Sequence, residues 1–535
     1  MDHHILVSDN LHRRGVDLLA SRPGFLVDVN TGLTAEALKD IIGKYHGLVI
    51  RSATKVTADI LAAAENLKVV GRAGTGLDNV DIPEATRRGV VVMNTPGGNA
   101  VAAAEHTIGM IMAAHRHIPQ AVASMKQGKW EKKKFQGREM AGKTLGVIGL
   151  GKIGSLVSRL ASSGLKMKVV GYDPVTSSEA AAQQGASLVT LNEVFAASDI
   201  ITVHTPLNDD TRSIVDSRAF SLMKDGVIIV NCARGGVIDE DALLSALESG
   251  KAAAAALDVF SAGTPGDDHP LVMHPRVIAT PHLGASTDEA QVNVAVAVAQ
   301  QIVDYLENNV VRNAVNVPSI DAALMAKVGP YLDLAKRLAQ FLGGLATGSV
   351  KEIEMEYQGE IASWDLKPIT NAALVGLLET FEGADVNQIN AALLARERGV
   401  RVLATTRREG SEYGSSVLMR MRCTDETSRS VQGALIRRIG YEPRIIGIDE
   451  FLTEAVPAGA MLIVRNKDVP GMIAGVAGAL AGGGINIAQM NLSRDAAGGS
   501  AMSILNLDSP ADDATLDTIR DIPGIIGVTQ VVLEH

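Results

Sequence analysis

Apolar positions in the first 310 residues fall into two rhythms. Short runs over 5–8, 47–50, 68–70 and 90–93 are bounded by Gly, Asp or Asn and read as strands. Between them lie stretches at helical spacing, such as 57–64. This alternation predicts βαβ units and a parallel sheet. A longer helix rich in Ala and Met is predicted over 100–117, linking two lobes. A second series opens at Lys143: a strand over 144–148, then Ile153, Leu156, Val157 and Leu160 at helical spacing. Strands follow over 169–172, 200–204, 227–231 and 254–259. A helix is predicted from Ser286, where Ser286 and Glu289 have capping-box spacing.

The pattern changes near Pro318. From there to about Pro457 the chain reads as mixed α/β, with Ile353, Met355 and Tyr357 alternating with charged residues as in a half-solvated strand. The last stretch is sharper: strand 461–465, helix 471–481, strands 485–492 and 501–507, helix 512–519, strand 524–533. The order β-α-β-β-α-β is ferredoxin-like. The closing Leu533, Glu534 and His535 read as a remnant of an expression tag and are set aside.

Composition narrows the function. With 50 basic and 60 acidic residues the formal charge is −10, which argues against nucleic acid as the main partner. Aromatics are 3%, so the cores are aliphatic, which argues against a base-stacking platform. Two cysteines, Cys232 and Cys423, make no disulfide framework and suit a reducing compartment. No apolar run is long enough to span a membrane, and the N-terminus is too polar for a signal peptide. The expectation is a cytoplasmic enzyme.

Three motifs carry chemistry. Gly149, Gly151 and Gly154 form a GxGxxG between a strand and a helix, around Lys152 and Ile153. Such glycines permit a tight turn and close backbone approach, and the helix N-terminus receives a pyrophosphate. Asp173 ends the next strand, 19 residues after Gly154, where a carboxylate holds a ribose diol and repels a 2′-phosphate. NAD is therefore favoured over NADP; the bland alternative is a plain strand–helix turn with Asp173 as a helix cap. Arg234 lies just past a strand end, where it can clamp a carboxylate bidentately, although a lone Arg there is more often a surface residue. His282 lies in a Gly-containing loop immediately before the helix predicted from Ser286, a place for a general acid/base, although a lone His is more often structural.

Together these stretches resemble the D-isomer-specific 2-hydroxyacid dehydrogenase family, in its long form with intervening and ACT domains. The markers are Arg51-Ser52-Ala53-Thr54, Gly71-Arg72-Ala73-Gly74-Thr75-Gly76, the dinucleotide loop, His204-Thr205-Pro206, Asn231 to Gly236, Leu257-Asp258-Val259-Phe260 and Pro281 to Thr287. The resemblance implies a Rossmann-type NAD-binding domain (99–282) inserted in a flavodoxin-like substrate domain (1–98 and 283–317). An intervening domain (318–458) and an ACT domain (459–535) follow. It implies NAD as cofactor, no metal, and oxidation of D-3-phosphoglycerate to 3-phosphohydroxypyruvate, the first step of L-serine synthesis. Arg234 then orients substrate and His282 carries the proton. Thr75, Lys152, Ile153, Asp173, Thr205, Cys232, Ala233, Arg234, Asp258, His282, Gly284 and Ala285 match cofactor-contact positions. Arg51, Arg72 and the basic run Lys132-Lys133-Lys134 are the candidates for the substrate phosphate, the run reaching across a dimer interface or standing as a solvated face. Association as a homodimer or homotetramer is implied as well.

One departure stands out. The family pairs its His with a Glu after the Leu-Asp-Val-Phe stretch, and here the matched position is Gly263 counted from Asp258, or Thr264 counted from His282. Three readings stay open: Asp267 or Asp268 supplies the carboxylate, the enzyme runs more slowly without it, or the chain is impaired. In the last segment Asn466, Asp468 and Asn486 match positions that hold a small amino acid in ACT domains, which points to L-serine as effector; the alternative is a plain dimerisation module. Two other functions stay in view: a dehydrogenase of an unphosphorylated 2-hydroxyacid, and an NAD-binding amino-acid sensor of weak activity.

Overall fold

The computed structural model describes residues 2–317, 322–382, 386–410, 412–437 and 441–533. The predicted change at Pro318 and the terminal Glu534 and His535 lie outside the described residues.

Five parallel strands form the first sheet, in spatial order Phe25–Val29, His3–Val7, Gly47–Ile50, Val69–Arg72 and Val91–Met93. In chain order this is 2-1-3-4-5, the flavodoxin-like arrangement. Every residue of Gly47–Ile50 is buried, as expected of a parallel strand covered on both faces. One cover arrives late in the chain: helix Asp288–Asn308 lays Ala295, Val298 and Ile302 onto the sheet. Burying an aliphatic side chain such as Ile302 contributes about 1.5–3 kcal/mol, enough for a distant segment to complete this lobe. The edge strand Phe25–Val29 has no counterpart in the sequence reading. Leu26 and Val29 are exposed on it, so its hydrophobic pattern is weak.

The second sheet has seven parallel strands: Val277–Ala279, Ala252–Leu257, Val227–Asn231, Ile200–Val203, Thr144–Ile148, Lys168–Tyr172 and Ser187–Leu188. Thr144–Ile148 pairs with Ile200–Val203 on one side and Lys168–Tyr172 on the other. The strand order reverses there, which is the switch point of a Rossmann sheet. Helix Ala100–Arg116 ends at His117, whose φ of 52° breaks it, and a second helix, Ile118–Lys126, follows.

The predicted cap at Ser286 is corrected. Helix Asp288–Asn308 starts after Thr287, whose Oγ1 accepts from the Ala290 N–H at 3.2 Å. Ser286 is consumed by the preceding turn, its N–H donating to the Leu283 carbonyl at 2.8 Å. His282 therefore precedes the helix by a full turn of loop rather than abutting its N-terminus.

The third sheet runs Arg401–Arg407, Val350–Gln358, Ser416–Cys423, Ser428–Arg437, Tyr441–Ile448 and Phe451–Ala455, parallel only in its first pair. Ile353, Met355 and Tyr357 face its core under helices Ala322–Gly344 and Lys367–Glu382. The fourth sheet is antiparallel, in order Ile487–Arg494, Ser500–Leu507, Gly459–Lys467 and Ile525–Leu533, with helices Met472–Gly482 and Asp513–Arg520 completing β-α-β-β-α-β. Among the described residues no helix is long and apolar enough to cross a membrane.

Candidate active site

The cleft is built at the carboxyl edge of the Rossmann sheet, where ligands of open α/β sheets bind. Gly149, Asp173, His204, Cys232, Asp258 and Thr280 directly follow the last residues of six of its strands. The three glycines divide the labour. Gly149 has φ 94°, and a Cβ there would meet the His204 carbonyl at 2.7 Å. A Cβ on Gly154 would strike the Gly149 carbonyl, so this position lets the helix pack on the strand. A Cβ on Gly151 meets nothing within 4 Å: this is the face left for a ligand to approach.

Asp173 holds this loop. One carboxylate oxygen accepts from Leu150 N–H at 2.9 Å, the other from Val175 and Thr176 N–H at 2.9 Å each. Burial raises its pKa, but these backbone donors outweigh that and keep it below the ordinary carboxylate value. Lys152 reaches across to the Pro96 carbonyl at 2.8 Å, and Ile153 is half-buried behind the loop. Thr205 has a buried hydroxyl oxygen with no protein partner. Thr75 donates to Asn99 at 3.0 Å on the facing lobe. The residues thus fit a dinucleotide: an open glycine face, an ionised carboxylate beyond it and an unpartnered hydroxyl in the wall.

Cys232 is wall, not chemistry. Burial, with Asp258 beside it, pushes its thiol up to about 12, so no thiolate forms at neutral pH. Asn231 shapes the next turn, accepting from Ala233 N–H at 3.0 Å and donating to the Arg234 carbonyl at 2.8 Å.

Arg234 points across the cleft. Its Nε lies 3.1 Å from Asp78 Oδ2, and Nη1 donates to the Ala233 carbonyl at 2.7 Å. Gly76 makes this crossing possible, since a Cβ there would sit 1.9 Å from Arg234 Nη2. Arg72 flanks the other side of the same loop, its Nη1 2.8 Å from where a Cβ on Gly74 would lie. Burial, then Arg234 and Arg51, push Arg72 down to about 10, so it remains a cation at neutral pH. Arg51, Arg72 and Arg234 therefore share one cleft. Lys132 stands exposed on the turn Lys132–Phe135.

His282 sits at φ 57°, a left-handed conformation uncommon outside Gly and Asn. Its N–H is held by the Asp258 and Thr280 carbonyls at 3.0 Å. His282 is exposed to solvent, and the protein packed around the ring still desolvates it in part. That desolvation, with Arg234 and Arg72, lowers its pKa below 6.5 against the opposing pull of Asp258 and Asp78. Asp258 is buried and anchors the loop: it accepts from Thr280 Oγ1 at 2.6 Å, Leu283 N–H at 2.8 Å and Gly284 N–H at 2.9 Å, with His106 Nε2 at 3.3 Å. Ala285 adds a carbonyl accepting from Gln291 at 2.8 Å.

The loop that departs from the family pattern is a tight turn. Gly263 N–H donates to the Phe260 carbonyl at 3.0 Å with Gly263 at φ 78°. Ser261 and His269 tie the segment to Glu240, at 2.6 and 3.4 Å. Asp267 and Asp268 are exposed, and neither is among the charges acting on His282. Asp78 is the acidic neighbour that sequence reasoning missed, and Gly76 is the notch that it did not interpret.

In the last sheet, Asn466 is buried and donates to the Lys467 carbonyl at 2.7 Å. Asp468 accepts from Arg494 at 3.2 Å and Gly498 N–H at 3.0 Å, and Asn486 donates to Asp508 at 2.7 Å. None of these partners is another member of the three.

Comparison with known proteins fits this geometry. Residues 108–284 match the model of the D-isomer specific 2-hydroxyacid dehydrogenase NAD binding domain. Residues 327–449 match the D-3-phosphoglycerate dehydrogenase intervening domain and 460–524 the ACT domain. D-3-phosphoglycerate dehydrogenase of Synechocystis sp. is 43% identical over 522 residues, 97% of this chain and 93% of that one. The Methanocaldococcus jannaschii enzyme of the same name is 41% identical over 530 residues, 99% of each chain. The chain belongs to the D-3-phosphoglycerate dehydrogenase family. It is an NAD-dependent dehydrogenase with an ACT domain. Among solved structures, D-lactate dehydrogenase from Aquifex aeolicus complexed with NAD and lactic acid is 25% identical with a TM-score of 0.53, covering 59% of this dehydrogenase and all of that chain, 100%. The TT0316 protein from Thermus thermophilus is 29% identical with a TM-score of 0.54, covering 58% of this chain and 99% of that one.

Proposed function

We propose that the protein oxidises D-3-phosphoglycerate to 3-phosphohydroxypyruvate with NAD. The observation that carries this is the convergence of Arg51, Arg72, Arg234 and His282 in one cleft beside the glycine loop. A substrate with a phosphate at one end and a carboxylate at the other needs cations for both. Arg51 and Arg72 take the phosphate. Arg234 forks onto the carboxylate and the oxygen being oxidised, stabilising charge as it develops there. His282, neutral at pH 7, accepts the hydroxyl proton through its free ring nitrogen.

Gly149, Gly151 and Gly154, with Lys152 and Ile153, would hold the pyrophosphate of NAD, and Asp173 would take the ribose. Thr75, Thr205, Cys232, Ala233, Arg234, Asp258, His282, Gly284 and Ala285 line the rest of the dinucleotide path. When bound, NAD would supply the acceptor for the hydride that leaves the substrate's carbinol carbon. The chain works without the family's glutamate at 263 or 264, with Asp78 and Asp258 as the acidic groups around His282, at some cost in rate.

Two further parts belong to this reading. The subunits pair as a homodimer or homotetramer through the nucleotide domain, where Val101, Ile118, Val122, Met125 and Trp130 are exposed. Lys132 then serves the partner's cleft. L-Serine binds the ACT domain through Asn466, Asp468 and Asn486 and modulates the reaction. The test is NAD reduction with D-3-phosphoglycerate and with D-glycerate, each titrated with serine. Strong preference for the phosphorylated acid supports the assignment; equal rates point to an unphosphorylated substrate. NAD and serine binding without turnover supports the sensor reading, which the carboxylate-free Gly263 turn alone favours.

A further inference from the structure

The turn that carries Arg51 is fastened at both ends, and by two side chains outside the machinery described so far. Asp9, just past the first strand, is 6% exposed. Its Oδ2 accepts from Arg51 N–H at 2.6 Å and Thr54 N–H at 3.1 Å, and its Oδ1 from Thr54 Oγ1 at 2.7 Å. Thr54 Oγ1 is also 3.0 Å from the hydroxyl of the fully buried Ser8. Asn79 holds the opposite polarity: its Nδ2 donates to the Arg51 carbonyl at 2.8 Å and the Thr54 carbonyl at 2.6 Å. One carboxylate takes the turn's N–H groups and one amide takes its carbonyls.

The same carbonyl sets the second cation. Arg72 Nε donates to the Arg51 carbonyl at 3.2 Å, while Arg51 Nη1 donates to the Asn10 carbonyl at 3.0 Å. Arg72 is thereby referenced to the backbone of the turn that carries Arg51, and the Arg51 guanidinium to the Asn10 carbonyl next to Asp9. Bidentate recognition of a phosphate by two forks depends on their mutual geometry more than on their charge, and a small misplacement of a binding group is costly. Asp9 faces backbone and hydroxyl donors and forms no ion pair among the described residues, so its carboxylate serves the turn.

We propose that Asp9 and Asn79 are positioning residues for phosphate selectivity, locking the turn over 51–54 so that Arg51 and Arg72 present a fixed pair of forks. This rests on the phosphate role given to those arginines above. Asn79→Asp keeps the shape but turns a donor into an acceptor facing two carbonyls. Asp9→Asn turns an acceptor into a donor facing the Arg51 and Thr54 donors.

The full-length enzyme is assayed for NADH-dependent reduction of 3-phosphohydroxypyruvate and of hydroxypyruvate, with melting temperature recorded alongside. In either variant KM for the phosphorylated acid rises by about tenfold or more while kcat changes by less than about threefold. The preference in kcat/KM for the phosphorylated over the plain acid falls by about tenfold, roughly 1.4 kcal/mol. Proportional loss on both acids, or an unchanged preference, overturns the proposal. Should Asn79→Asp not fold, Asp9→Asn and Asn79→Ser carry the same comparison. A wild-type enzyme with no preference for the phosphorylated acid would instead remove the phosphate reading on which this one stands.

Discussion

Arg234 and Asp78 meet across the cleft, Nε to Oδ2 at 3.1 Å, from chain positions 156 residues apart. One comes from the Rossmann sheet and the other from the lobe carrying Arg51 and Arg72. The pair fixes the direction of the guanidinium proposed to take the substrate carboxylate, and it brings an acid near His282. Because Asp78 is 61% exposed, the pair adds little to stability. Its consequence lies in orientation.

Gly76 is the tightest test of that orientation. In Gly76→Ala the new Cβ would lie 1.9 Å from Arg234 Nη2 and 2.9 Å from Asp78 Oδ2, so the guanidinium has to leave. Misplacing a positioned binding group costs on the order of 10²-fold, and kcat/KM for phosphoglycerate is expected to fall by about that much. NAD affinity, measured by fluorescence titration, falls far less than kcat/KM, because the glycine loop and Asp173, which lie elsewhere, are untouched. Unaltered kcat/KM would show that Arg234 is not the carboxylate fork.

In the proposed role of base, His282 is expected to give the reaction its pH dependence. Oxidation needs the neutral imidazole, and burial, Arg234 and Arg72 lower its pKa below 6.5. The rate of oxidation therefore falls on the acid side, with the midpoint of kcat/KM below 6.5. Asp78→Asn removes a charge that favours imidazolium and moves the midpoint further down. His282→Asn, chosen because Asn tolerates the left-handed φ, loses about 10²–10⁴ in kcat. An acid midpoint unmoved by Asp78→Asn would remove that carboxylate from the account.

Local features were legible in the sequence and cross-chain ones were not. The glycine hairpin and Asp173 were readable because strand, turn and helix are contiguous there. The β-α-β-β-α-β order at the end was readable for the same reason. Thr287 displaced Ser286 as the helix cap because both residues have capping chemistry and only the preceding turn decides between them. Asp78 carried no signal, since its partner is set by the docking of two lobes. The fate of the missing glutamate was equally hidden: the chain around Gly263 closes into a turn, and Asp267 and Asp268 point to solvent.

Asp258 links this loop to stability. Its carboxylate is buried, and although burial raises its pKa, His106, Thr280 and the Leu283 and Gly284 N–H groups lower it below 3.8 overall. A depressed folded-state value contributes stability that is fully present above the unfolded value and is lost as pH falls through the folded one. Asp258→Asn turns an NH2 toward two N–H donors and is expected to cost about 2–3 kcal/mol at pH 7. In urea titrations the gap to wild type should narrow only below pH 3.8. A gap that closes between pH 7 and 5 would assign the linkage to another group.

Asp173 is the residue proposed to select the cofactor. Three backbone N–H groups already use most of its acceptor capacity, so the ribose meets a carboxylate whose direction is fixed in advance. That carboxylate is ionised at every pH where the enzyme works, because the backbone donors hold its pKa down against burial. A 2′-phosphate placed there faces a like charge in a partly desolvated site. Asp173→Asn removes the repulsion but also a strong acceptor, so NAD loses affinity while NADP gains. The NAD-to-NADP ratio of kcat/KM is expected to fall by about tenfold or more, each tenfold step being about 1.4 kcal/mol. The Asn oxygen can keep the Val175 and Thr176 N–H groups, which share one oxygen in the wild type, and gives up only the Leu150 N–H, so the change registers in the ratio more than in loss of both activities. An unchanged ratio would mean that discrimination against the 2′-phosphate arises from another residue lining the ribose.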